Sequence, residues 1–169
     1  MRRLLSVVDA ISGSMGGLMK WFCYILILVV VTDVVLRYVF NAAPVWAYDI
    51  SVMLGGTIYV LAWSYTHRYD GHVRVDIFYA RMSPRKKAII DAVGTFIFVF
   101  PLMAILIKES WKWAWRAWVI NERFMETYFY PPVAPFRTIV LIGFCLLLLQ
   151  AIAVFTRSLY FVVRNKPYA

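Results

Sequence analysis

HRYDGHVRVDIFYARMSPRKK, His67 to Lys87, decides how the rest of the sequence is to be read. It carries Arg68, Arg74, Arg81, Arg85, Lys86 and Lys87 near the middle of a chain that is 63% hydrophobic. Fixed charges at that density do not enter hydrocarbon, so the segment is expected at a membrane surface with a pair of apolar segments on either side. The predicted fold is therefore all-α and integral to a membrane. It has four transmembrane helices, arranged as two hairpins and joined by a basic connection.

Composition supports the same class. The mean hydropathy is +0.71 and 18% of the 169 residues are aromatic, values that override the expectation of a soluble domain. Lys and Arg outnumber Asp and Glu 18 to 9, an excess that suits cytoplasmic loops; no basic stretch is interleaved for stacking bases, so nucleic acid is not an expected partner. Cys23 and Cys145 lie in separate apolar runs and form no redox or metal spacing.

Working towards the N-terminus, Val45 to Thr66 is the second expected span and Leu18 to Phe40 the first, separated by the turn Asn41-Ala42-Ala43-Pro44. Residues 1–17 alternate apolar and polar groups like an amphipathic lead-in, in which Gly13 and Gly17 have the small-xxx-small spacing of closely packed helices. Arg37 stands one turn inside the end of the first span. Asp49 stands at a matching depth in the second, so an Arg37–Asp49 ion pair is expected to clamp this hairpin.

Working towards the C-terminus, Ser83-Pro84 supplies an N-cap and a first-turn proline for a third span over residues 87–107, which Pro101 should kink. Residues 108–120 change character. At 100° per residue Trp111, Trp115 and Trp118 share one side and Lys112 and Arg116 another, the pattern of an interfacial, amphipathic, Trp-rich segment whose tryptophans act as anchors, either as an extension of the third helix or as a helix lying flat. Next come Glu122, Arg123, Tyr128 and the prolines 131, 132 and 135, which forbid a regular helix. A fourth span over residues 137–163 completes a single membrane domain of residues 1–169. With the N-terminus cytoplasmic, twelve Lys and Arg fall inside against six outside, so both termini are expected in the cytoplasm.

The chemistry that these residues exclude is as informative. His67, Asp70, His72 and Asp76 lie in the connection with no rigid element to fix a ligand spacing, so no metal site is expected. Neither His67 nor His72 stands in an apolar segment beside a nucleophile or where a haem between helices would need it, which leaves no expected catalytic residue. Charges keep to the boundaries of the spans, unlike those of a self-sufficient carrier. The residues point to a membrane partner or scaffold subunit. Two other classes, an anchor for a redox enzyme and a four-helix exporter acting as a homodimer, would show themselves by a haem spectrum and by transport by the chain alone.

Three stretches carry a specific likeness. Val35-Leu36-Arg37-Tyr38-Val39-Phe40-Asn41 followed by Trp46 and Asp49, then Gly71-His72-Val73-Arg74-Val75-Asp76-Ile77-Phe78-Tyr79 with Ser83-Pro84-Arg85, and finally residues 143–150 resemble the small membrane subunit of tripartite ATP-independent periplasmic (TRAP) transporters, the DctQ family. The resemblance covers roughly residues 15–155, with Asp49 where the family more often has glutamate. It implies a bacterial inner-membrane, sodium-coupled importer of an organic anion, carboxylate or sulfonate. A large membrane subunit of the DctM family would hold the sodium and substrate sites, and a periplasmic substrate-binding protein would deliver the cargo. This chain would then bind no cofactor, sodium or substrate itself. His72, Arg74 and Asp76 would fix the inner connection, while Lys112, Arg116, Glu122, Arg123 and Tyr128 would belong to the periplasmic docking face or subunit interface.

Overall fold

The computed structural model describes residues 2–69 and 82–164. The inner-connection residues His72, Arg74 and Asp76 lie outside the described residues. Among the described residues there are five α-helical segments: α1 (Arg2–Tyr38), α2 (Ala47–Arg68), α3 (Pro84–Gly94), α4 (Phe100–Val119) and α5 (Ala134–Arg164). A single π-helical stretch, Thr95–Val99, joins α3 to α4 without a break.

The long helices exceed the expected spans because the polar groups near their ends do not stop them. α1 takes in the lead-in and the first span as one helix of 37 residues, about 55 Å at 1.5 Å per residue against a hydrocarbon layer of about 30 Å. It ends at Tyr38; Asn41 adopts a left-handed conformation (φ 52°), and the Ala42 N–H reaches back to the Leu36 carbonyl at 2.9 Å. The Trp-rich segment likewise runs on as helix: Pro84 to Val119 forms one continuous apolar rod. Ser83 stands at the N-cap with extended backbone, though its hydroxyl makes no capping bond, and Pro84 takes the first turn. The disturbance expected of Pro101 appears just before it. Pro101 has no N–H and its ring crowds the preceding turn, while the Phe100 N–H bonds to the Thr95 carbonyl five residues back.

Among the described residues three helices are long and apolar enough to cross a membrane: Ser6–Tyr38, Pro84–Val119 and Ala134–Val163. The segment expected to supply a fourth crossing, α2, is a helix of 22 residues whose apolar character is diluted by the polar groups it buries, Asp49, Thr57 and Ser64 among them.

Packing centres on α5, which contacts α1, α2, α3 and α4, while α1 and α2 form an antiparallel hairpin. The buried positions are dominated by alanine: Ala88, Ala92, Ala114, Ala117, Ala151 and Ala153. Between helices already surrounded by apolar groups, small side chains gain by letting backbones approach. Gly143 shows the limit of that approach. A Cβ there would fall on Val60 Cγ1 and within 3.1 Å of the Val60 carbonyl oxygen, so α2 and α5 touch backbone to side chain. On α1 the close contacts are at Gly13, under Arg68, and Gly16, under the Tyr65 ring, whereas Gly17 faces open space. The close approaches on α1 thus fall at Gly13 and Gly16, and Gly17, the other member of the small-xxx-small spacing, takes no part in them. Phe155 of α5 packs on Phe100 (ring centres 5.3 Å apart) and Phe96, and Trp63 of α2 packs on Phe144, so aromatic contacts fill the wider gaps on both sides of α5.

Candidate functional site: polar clusters at the two ends of the bundle

At the end that contains the start of α1, one carboxylate ties three helices together. Arg157 of α5 donates to both oxygens of Asp9 on α1, and Arg68 at the end of α2 donates to the Asp9 main-chain carbonyl, with its Nε 4.0 Å from Oδ1. Gln150 of α5 donates from Nε2 to Asp9 Oδ1 (3.3 Å) and accepts from the Ser12 hydroxyl (2.9 Å). Gln150 and Ser12 are buried, so their mutual bond satisfies groups that apolar surroundings would otherwise penalise. The sequence reading treats residues 1–17 as an amphipathic lead-in and assigns Asp9 no partner. The available signal was that Asp9 and Arg157 each stand as an isolated charge in an otherwise apolar run. His67, expected in the connection, lies in the last turn of α2.

The opposite end departs from the expected clamp. Arg37 donates to both oxygens of Asp33, one turn earlier on the same helix, at 2.8 and 3.1 Å. Asp49 is fully buried and accepts from the Thr127 hydroxyl, while its Oδ1 has no hydrogen-bond partner. The Arg37–Asp49 pair is therefore not formed. The i,i+4 geometry on α1 satisfies Arg37 without leaving its own helix, and the loop after α4 folds over α2 and covers Asp49.

That loop, residues 120–133, is an ordered hairpin. An antiparallel bridge joins Arg123 to Pro132, the Phe124 N–H bonds to the Pro131 carbonyl at 2.9 Å and the Val133 N–H to the Glu122 carbonyl at 3.0 Å. Asn121 and Tyr130 take left-handed conformations, φ 48° and 49°, to turn the chain at its two ends. Thr127 accepts from the Phe129 N–H at 3.2 Å while it donates to Asp49, so the hairpin is latched to the first turn of α2. Met125 and Tyr128 are left 83% and 86% exposed at the tip, an arrangement suited to protein contact rather than to a core.

The expected docking residues divide between separate places. Lys112, Arg116 and Glu122 gather with Trp113 and Arg137 around a cleft of about 380 Å³. Tyr128 lines a different groove of about 520 Å³ with Arg37 and Tyr48, and Arg123 donates to the Tyr130 carbonyl at 3.3 Å within the hairpin. Two residues missing from the expected set organise the first cleft. Arg137 forms a fork of 2.6 and 2.7 Å bonds to Glu122 and lies over the Trp113 ring, 5.1 Å from its centre. The pairing spans a loop whose path no local pattern encodes. Trp111, Trp115 and Trp118 are all exposed; Trp118 also donates to the Thr138 hydroxyl at 3.0 Å, which fastens α4 to α5.

Among the described residues no group of three or more His, Cys, Asp or Glu side chains converges as a metal site. Both clusters instead consist of fixed cations, carboxylates and aromatic rings at helix ends, which can fasten helices and present a charged surface. In comparisons with known proteins, the family model described as "Tripartite ATP-independent periplasmic transporters, DctQ component" matches residues 26–160. None of the curated proteins matches the chain.

Proposed function

Because this chain belongs to the DctQ component family of TRAP transporters, of which the matched residues 26–160 take in well over half its length, we propose that it is the small scaffold subunit of a sodium-coupled importer of an organic anion, carboxylate or sulfonate. The family match is the observation that carries this reading. The chain packs on a large DctM-type membrane subunit that holds the sodium and substrate sites, and itself binds neither. It resides in the bacterial inner membrane with both termini in the cytoplasm, as the distribution of Lys and Arg favours. On this reading α2 is the fourth crossing: its 22 residues reach about 33 Å, and its polar groups Asp49, Thr57 and Ser64 are buried within the protein. His72, Arg74 and Asp76 fix the inner connection.

The end bearing the 120–133 hairpin faces the periplasm and takes part in docking the substrate-binding protein. Its exposed Met125 and Tyr128 and the charges of Lys112, Arg116, Glu122 and Arg123 support that role. Charge reversal at Lys112, Arg116 and Arg123 together is expected to weaken uptake that depends on the binding protein, measured with radiolabelled substrate in cells carrying all three components. Unchanged uptake would remove these residues from the docking face. Co-purification of the tagged chain with a large multi-span partner from native membranes tests the scaffold role directly.

A further inference from the structure

From the groove between α4 and α5 we infer a phospholipid site, in which a lipid phosphate is held by Arg116 and Lys112 and one acyl chain lies against Leu106 and Val140. The inference rests on the proposed placing of this end of the bundle at the outer membrane boundary. Two adjoining hollows make the site. The apolar one, about 400 Å³, is lined by Leu106, Phe136 and Val140 at one end and reaches Trp113 and Arg137 at the other. The second hollow begins at the same Trp113 and Arg137 and carries Lys112 and Arg116. The Arg137–Trp113 stack is thus the saddle between a greasy trough and a cationic mouth.

Charge and the adjoining apolar trough both fit this occupant. Glu109 pairs with Lys112 at 2.8 Å and Glu122 with Arg137, so two carboxylates offset two of the three cations. The Arg116 guanidinium is exposed and has no hydrogen bond or ion pair among the described residues, which leaves one positive charge uncompensated beside the saddle. Leu106 to Trp113 gives the trough about 10 Å of wall along α4, from its apolar end up to the saddle. A cationic mouth with an unpaired guanidinium among exposed tryptophans, opening across the saddle onto an apolar trough, matches a phosphate with a chain attached. A free phosphate would leave the trough unused, and an uncharged lipid would leave Arg116 unused.

The test is native mass spectrometry of the purified full-length chain in detergent, titrated with phosphatidylglycerol, with diacylglycerol of the same chains and with inorganic phosphate. Phosphatidylglycerol is expected to bind at one site, with Arg116→Gln weakening it about five- to tenfold. Arg116→Lys should restore most of the loss, and Val140→Trp, which fills the trough, should abolish retention while the circular-dichroism spectrum stays that of wild type. Equal binding of diacylglycerol, equal binding of inorganic phosphate or an unaltered affinity in Arg116→Gln would overturn the site. So would a Val140→Trp variant that keeps its lipid and loses only a co-purifying protein. Lipid counting needs no partner subunit, so its failure with intact uptake sinks this inference alone, whereas lost co-purification with normal lipid binding sinks the scaffold reading.

Discussion

Asp9 gathers polar attachments from two other helices, since one carboxylate receives Arg157 and Gln150 and its own carbonyl receives Arg68. Removing the carboxylate takes away the acceptor of Arg157 and Gln150 and the counter-charge beside Arg68, while the main-chain carbonyl still receives Arg68. The side chains are about one-fifth to one-third exposed, so screening reduces the cost below that of a fully buried pair. Asp9→Ala is expected to lower stability by about 1–2 kcal/mol in an SDS-unfolding titration, and Asp9→Ala with Arg157→Ala to cost less than the two single changes added together. At the other end, Thr127→Val removes the one donor to buried Asp49 and should cost about 1–3 kcal/mol. The same change should make the hairpin cleave faster under limited proteolysis, because Thr127 is what latches it to α2. These residue-scale partnerships were the least legible part of the sequence. Arg37 had two carboxylates at a suitable depth, Asp33 and Asp49, and a depth argument cannot know that a loop some eighty residues later will cover one of them.

Elements were more legible, because what forms them is local. The apolar runs around α1, α3–α4 and α5 announced helices, and Ser83-Pro84 marked the start of α3. Their ends were harder to place: hydropathy locates what hydrocarbon tolerates, whereas a helix continues as long as its backbone bonds do. Hence α1 begins well before Leu18 and the Trp-rich segment is a continuation of the rod. Contacts between elements turn on single atoms that periodicity does not resolve. Gly16 and Gly17 look equivalent in sequence, yet only Gly16 lies under Tyr65. Gly16→Ala is expected to force α1 and α2 apart and cost about 1–3 kcal/mol, whereas Gly17→Ala should be neutral or stabilise by up to about 1 kcal/mol through helix propensity. Thermal melts of the two variants followed by circular dichroism separate these outcomes. For the α2–α5 seam, Gly143→Ala should be destabilising and partly rescued by Val60→Ala, which removes the methyl group that the new Cβ meets.

At the scale of the whole molecule, the arrangement of charge is what the sequence expressed most clearly. The excess of Lys and Arg on one side predicts a definite orientation. In a background lacking Cys23 and Cys145, Tyr128→Cys should react with a membrane-impermeant maleimide in spheroplasts, while Ser83→Cys should react only after the membrane is opened. Equal labelling of the two positions would contradict both the orientation and the assignment of the hairpin to the docking side. What the chain could not express in advance was its packing hierarchy, because helices that are apolar all round carry no stripe to say which neighbour they face.

That hierarchy places α5, which follows the other described helices along the chain, at the centre. α1 and α2 hold each other, but among the described helices α3 and α4 find their substantial packing only on α5. During synthesis the Pro84–Val119 rod must therefore wait in the bilayer, its alanine face bare, until Ala134 onward has left the ribosome. A polypeptide halted in the 120–133 hairpin would comprise a paired half and a solitary one. Quality-control proteases in the membrane would meet that solitary half first, so the abundance of the protein would depend on how promptly α5 follows the hairpin out of the ribosome.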